Sequence, residues 1–137
     1  MRNECFLDTN VLIYAASTKI DNPRKHAIAR ALFAGTAFCT SGQVLSEFVA
    51  NRKKLSGMPL ADVSTWIDKI TSFPVAPVDA EIVRAGLQMS ERYKISYWDG
   101  AILAAAEQLG APILYTEDLN DGQTYGSVKV INPFKVN

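Results

Sequence analysis

Four carboxylates in this sequence stand where an acid is awkward unless it has chemistry to do. Asp8 closes the apolar run Cys5-Phe6-Leu7 at the carboxyl end of a strand, where capping of the following helix is its ordinary use. Glu47 borders the apolar face that Val44, Leu45, Phe48, Val49 and Leu55 form on a helical wheel. A border glutamate is ordinarily solvated. Asp99 falls inside the apolar arc of Trp98, Ile102, Leu103, Ala106 and Leu109, where an unpaired carboxylate costs several kcal/mol. Its structural alternative is a capping box, with Ser96 as N-cap and Asp99 at the third helical position. Asp118 follows Ile113-Leu114-Tyr115-Thr116, again at a strand's carboxyl end, and Glu117 and Asp121 crowd the same loop. Turn formation would explain that loop, since Asp121-Gly122 is common turn chemistry. Each acid alone has a dull explanation; the set does not. Two carboxylates 4 Å apart repel by about 4 kcal/mol at an effective dielectric near 20, which a cation would relieve. Oxygen ligands without His or Cys suit Mg²⁺ or Mn²⁺, not zinc.

The elements that must position these acids alternate apolar runs of strand length with segments of helical period. Strands are expected over Glu4–Asp8, Ala37–Thr40, Pro112–Thr116 and Ser127–Ile131. Phe73–Val78, interrupted by Pro74 and Pro77, reads as an edge strand or extended connection. Helices are expected over Asn10–Ala16, from Pro23 to Gly35, and over Gln43–Leu55, Pro59–Ile70, Ala80–Tyr93 and Tyr97–Leu109. Glu117–Gly126 reads as a loop. The alternation predicts an α/β domain, a mostly parallel central sheet flanked by helices. Ligands of such sheets gather outside the carboxyl ends of the strands. No linker, repeat or low-complexity tract interrupts the 137 residues, so a single domain over 1–137 is expected.

Composition narrows the class. A hydrophobic fraction of 48% against 20% charged residues excludes an intrinsically disordered chain. The longest apolar runs, Val11–Ala16 and Ala101–Ala106, fall far short of the ~18–20 residues that cross a bilayer. Glu4 stands where a signal peptide would begin its apolar stretch, so a cytoplasmic protein is expected. Cys5 and Cys39 read as small buried hydrophobes. Fourteen basic and fourteen acidic side chains cancel, which argues against a nucleic-acid partner only if all the acids are on the surface. Four of them sequestered in one pocket would leave a basic remainder.

Phe6-Leu7-Asp8-Thr9-Asn10-Val11-Leu12, Ser46-Glu47-Phe48, Tyr97-Trp98-Asp99 and Thr116-Glu117-Asp118 together resemble the PIN-domain nucleases. Among these the likeness is to the VapC-type toxins of toxin–antitoxin pairs, and it runs from Asp8 to about Ile131. The resemblance implies a PIN-like α/β/α fold and a Mg²⁺- or Mn²⁺-dependent endoribonuclease, acting on transfer or ribosomal RNA. It implies Asp8 and Asp99 as principal metal ligands, with Glu47 and Asp118 completing the pocket. Thr9, Asn10 and Thr116 would support them by hydrogen bonding, and Asp121 or Glu117 is near enough to share the role of Asp118. It further implies a cognate protein antitoxin and a homodimer. Arg52, Lys53, Lys54, Arg92 and Lys94 would engage the RNA backbone, although cations also suit helix ends. Trp66, Tyr93 and Tyr97 could stack on bases or fill the core.

Two other readings compete. A haloacid-dehalogenase-type phosphatase would begin with Asp-x-Asp after its first strand, and here Asn10 replaces the second acid. Asn10 cannot exchange a proton in that role. A non-catalytic PIN-like binding module is the other alternative, but all four acid positions are filled. His26 is the sole histidine, which disfavours histidine-based RNA cleavage and a Ser-His-Asp triad. It reads as a surface residue.

Overall fold

A computed structural model describes residues 3–17, 22–51, 55 and 57–135. Its elements run in the order β1 (Cys5–Leu7), α1 (Thr9–Ala16), α2 (Pro23–Gly35), β2 (Phe38–Ser41), α3 (Gly42–Ala50), α4 (Leu60–Ile70) and β3 (Val75–Ala76). Then follow α5 (Ala80–Tyr93), α6 (Tyr97–Gln108), β4 (Ile113–Tyr115), β5 (Thr124–Tyr125) and β6 (Val128–Ile131). The strands form one six-stranded sheet in the order β3-β2-β1-β4-β6-β5. All neighbours pair in parallel except β5 with β6.

Every residue of β1 and of β2 is buried. Successive strand residues point to opposite faces, so helices must cover both faces of the sheet's centre. Chain order reverses at β1, which has β2 on one side and β4 on the other. A crevice opens at such a switch point, beyond the strands' carboxyl ends. The register pairs Leu7 with Tyr115, and the Asp8 amide donates to the Tyr115 carbonyl at 3.2 Å. The residues after β1 and after β4 are therefore side by side.

The α5–α6 pair packs unusually close. A Cβ on Gly100 would stand 2.5 Å from the Gly86 carbonyl oxygen and 2.9 Å from the Ser90 nitrogen. This contact seats the first turns of α6, which carry Asp99.

The α/β expectation holds, and several boundaries shift. The helix carrying Glu47 stops at Ala50, where the Asn51 side chain donates to the Glu47 carbonyl at 2.8 Å. Leu55 is buried all the same, so it extended the apolar period without extending the helix. The expected loop contains β5, because Gly126, at φ 59°, opens a two-residue hairpin turn with Ser127. The proline-flanked segment keeps only the two-residue edge strand β3. Trp98 and Val49, placed on apolar arcs by the wheel, are 66% and 40% exposed. Trp98 borders an open groove with Gln43, Ser46, Glu47, Val78, Ile82 and Tyr97, which leaves most of it exposed. Trp66 is core, and Tyr93 stacks edge-on with Tyr125 at 5.0 Å. His26 is half-buried and donates from Nδ1 to the Tyr14 carbonyl at 2.9 Å, bracing α2 on α1. Cys5 and Cys39 are free and buried, and burial pushes the Cys39 thiol up to about 12. No helix among the described residues is long and apolar enough to cross a membrane.

Candidate active site

Asp8 follows β1 and caps α1. Its Oδ1 accepts from the Thr9 amide at 2.7 Å, and its Oδ2 accepts from the Thr116 hydroxyl at 2.7 Å. One side chain thus caps α1 and reaches across to the end of β4. Asp8 is only 7% exposed. Its pKa is raised to about 6: burial is the largest cause, the two hydrogen bonds work against it, and the charges of Asp118 and Glu47 add to the rise.

Thr116, fully buried after β4, is the hub of the site. Its one hydroxyl donates to Asp8 and accepts from Asn10 Nδ2 at 3.2 Å and from the Asp118 amide at 3.1 Å. That uses the full capacity of a hydroxyl. Asn10 Nδ2 also donates to Asp118 Oδ2 at 3.2 Å. Asn10 thus ties the first turn of α1 to the segment beyond β4.

Glu47 and Asp99 approach from the helices. Gln43, one turn before Glu47, donates from Nε2 to Glu47 Oε1 at 3.2 Å and to the Trp98 carbonyl at 3.2 Å. The same amide therefore links α3 to the start of α6. The Asp99 amide donates to Ser96 Oγ at 3.1 Å, so the expected cap is present. Burial raises the pKa of Glu47, Gln43 lowers it, and the charges of Asp118 and Asp99 raise it further. Thr9 pulls weakly in the lowering direction without reaching hydrogen-bond geometry. Asp99 is raised by burial and by Asp118, against a lowering by Ser96. Asp118 is exposed, and its charge is felt at Asp8, Glu47 and Asp99 alike. Asp118 is thus the acid that links the other three.

The neighbouring acids are turned elsewhere. Glu117 pairs with Lys25 at 2.8 Å and accepts from Tyr14 Oη at 3.1 Å. Asp121 accepts from the Asn132 amide at 2.8 Å and lies 3.5 Å from Lys135. These contacts, led by the Asn132 amide, lower its pKa. Of the expected RNA-binding cations, Arg52, Lys53 and Lys54 lie outside the described residues. Arg92 and Lys94 are exposed near the end of α5, where Lys94 pairs with Glu91 at 3.8 Å. Neither is among the groups that shift Asp99.

Among the described residues, no three acids, histidines or cysteines stand in metal-chelating geometry. The donor chemistry nonetheless fits a hard divalent cation: carboxylate and hydroxyl oxygens only. Thr9 Oγ1 and Asn10 Oδ1, one and two residues after Asp8, are buried oxygens without a hydrogen-bond partner among the described residues. Sequence reasoning named these residues but missed Gln43, whose bridge depends on how α3 meets α6.

The fold is α/β, with a mostly parallel sheet and acidic residues beyond the carboxyl ends of β1 and β4. The chain belongs to the PIN domain family, which matches residues 5–121. No curated protein matches the sequence. Among solved structures it is similar to a toxin–antitoxin complex from Klebsiella pneumoniae, at 21% identity and TM-score 0.71, covering 96% of this chain and 99% of that one. It is also similar to Mycobacterium tuberculosis VapC20, a sarcin-ricin loop cleaving toxin, at 21% identity and TM-score 0.67, covering 83% and 89%. A DNA-bound VapBC from Salmonella typhimurium gives 20% identity and TM-score 0.62, covering 95% and 97%. At these identities the likeness establishes the fold.

Proposed function

We propose that this protein is a Mg²⁺- or Mn²⁺-dependent endoribonuclease, the toxin of a toxin–antitoxin pair. The observation that carries the reading is the convergence of four carboxylates from separate elements, with Asp118 felt at the other three. Asp8 and Asp99 would hold the cation, with Glu47 and Asp118 completing the pocket. The bound ion supplies water activation and neutralisation of charge on a phosphodiester.

The chain's own residues prepare that pocket. Thr116 and the Thr9 amide orient Asp8 through one oxygen each. Asn10 holds Asp118 against Thr116, and Gln43 holds Glu47. These contacts fix the ligands before the cation arrives, as supporting shells do in metal sites. Asn10 donates to two oxygens and offers no acid, which weighs against the phosphatase reading.

The structural neighbours described as toxin–antitoxin complexes support a protein antitoxin as partner. A homodimer, a cytoplasmic location and transfer or ribosomal RNA as substrate belong to the same proposal. The test is cleavage of pooled transfer and ribosomal RNA in Mn²⁺, with the ends mapped by sequencing. Discrete cuts that vanish in chelator and in Asp99→Asn are expected. Cuts that survive Asp99→Asn would refute the assignment. Intact RNA despite bound Mn²⁺ would favour the non-catalytic binding module.

A further inference from the structure

Glu117 sits between two residues of the site, Thr116 and Asp118, yet its side chain points the other way. The chain bends here, just past the end of β4. Thr116 and Asp118 meet Asn10 in the first turn of α1. Glu117 meets Tyr14, whose hydroxyl donates to Oε1 at 3.1 Å, and Lys25 of α2, whose Nζ donates to Oε2 at 2.8 Å. Lys25 Nζ also donates to Tyr14 Oη at 3.2 Å, closing a triangle. Asn10 and Tyr14 are four residues apart on α1 and so share a face. One helix face thus grips both sides of the 116–118 segment.

The triangle is sheltered. Lys25 and Glu117 side chains are each 25% exposed. Lys25 Nζ lies 4.9 Å from the Tyr14 ring centroid and 5.4 Å from that of Phe134, with those rings edge-on at 5.0 Å. An exposed ion pair holds little in place. A covered pair with a third hydrogen-bonded member is geometrically far more restricted. Asp118, by contrast, is exposed, and among the described residues Asn10 and its own amide's bond to Thr116 aim it.

We infer that Lys25, Tyr14 and Glu117 form a positioning network that fixes the 116–118 backbone and so holds the Asp118 carboxylate on the acidic pocket. The consequence for metal binding rests on the nuclease reading; the positioning itself does not. The test uses the full chain with Lys25→Met, Tyr14→Phe and Lys25→Arg. Metal-free, the Asn10 carboxamide ¹H–¹⁵N signals, assigned by their loss in Asn10→Ser, report the contact with Asp118. They should shift in Lys25→Met and return in Lys25→Arg. The Mn²⁺ concentration for half-saturation, read from the EPR signal of free Mn²⁺, should rise about 10–100-fold in Lys25→Met. Tyr14→Phe should show the same changes to a smaller degree, and it carries the test if Lys25→Met does not fold. A lowered melting temperature with unmoved carboxamide signals and unmoved Mn²⁺ affinity would make the triangle a stability clamp only, and overturn the inference. A wild type that binds no Mn²⁺, beside carboxamide signals that move, would uphold the positioning while refuting the nuclease reading.

Discussion

The Thr116 hydroxyl donates to Asp8 Oδ2 at 2.7 Å across 108 residues of chain. That single contact joins the carboxyl ends of the two strands that flank the switch point. It also lowers the pKa of Asp8 against the upward push of burial. Thr116→Val keeps the shape and removes the hydroxyl, taking the partner from Asp8 Oδ2 and from the Asp118 amide, while Asn10 Nδ2 keeps Asp118. A loss of about 1–3 kcal/mol of stability is expected. Asp8 should titrate above its present value of about 6, so cleavage at pH 7 falls and partly recovers at pH 8. Thr116→Ser should restore the pH–rate profile; an unchanged profile in Thr116→Val would show that the contact does not tune Asp8.

The raised pKa of Asp8 makes stability depend on pH in an unusual direction. The group titrates near 6 in the folded chain against 3.8 ordinarily, so the folded state binds its proton more tightly. Between those values the folded protein holds more protons than the unfolded one, and stability must fall as pH rises. The full effect is on the order of 3 kcal/mol. Glu47 and Asp99 are shifted the same way. Melting in chelator should therefore show a temperature that declines from pH 4 to pH 6. Asp8→Asn should flatten part of that decline and melt above the wild type at pH 7.

Mn²⁺ should reverse this destabilisation. A site-bound ion at 100 times its dissociation constant adds about 2.7 kcal/mol, on the order of 10 °C for a domain of this size. Chelator should remove the gain, and Asp99→Asn should largely lack it. A wild-type melting curve indifferent to millimolar Mn²⁺ would leave the four acids as caps and solvated side chains.

Much of this site was legible because its acids break apolar patterns. Asp8 and Asp118 were visible as acids ending apolar runs, and Asp99 as an acid within one. Thr116 was named as a supporting hydrogen-bonder through the family resemblance, but its place as a hub of three contacts depends on the pairing of Leu7 with Tyr115 across the sheet. The direction of Glu117 was equally hidden, since Tyr14 and Lys25 reach it only through the packing of α1 and α2. The wheel misplaced Trp98 for a different reason. A wheel averages over a helix, whereas the first turn of α6 faces an open groove between α3 and α5. For β5 the signal was in the sequence: Gly126-Ser127 is hairpin chemistry, and β6 supplies the partner strand.

Gly100→Ala should damage fold and site together. The added methyl would meet the Gly86 carbonyl oxygen at 2.5 Å, and backbone cannot swing aside as a side-chain tip can. Overpacking of this kind costs about 1–3 kcal/mol. Because Asp99 precedes Gly100 on the same turn, separating α6 from α5 also moves a proposed metal ligand. Chemical denaturation should show the lost stability, and Mn²⁺ affinity should fall with it. Reduced stability with unchanged Mn²⁺ affinity would show that Asp99 tolerates the displacement.

Asp118 and Asp121 share a loop, and the structure gives them opposite surroundings. Asp118 is held by Asn10 and raises the pKa of three other acids. Asp121 is held by the Asn132 amide and Lys135, and its own pKa is lowered. A lowered folded pKa gives stability that is present above the ordinary 3.8 and lost as pH falls through the folded value. Asp121→Asn should therefore cost a little stability at neutral pH, lose that difference in acid, and leave Mn²⁺ binding and cleavage near wild type. Asp118→Asn should do the reverse, raising the metal-free melting temperature by relieving repulsion while abolishing cleavage. Equal loss of cleavage in both variants would mean that Asp121 leaves Lys135 for the pocket when substrate binds, and that two acids serve where the proposed site has one.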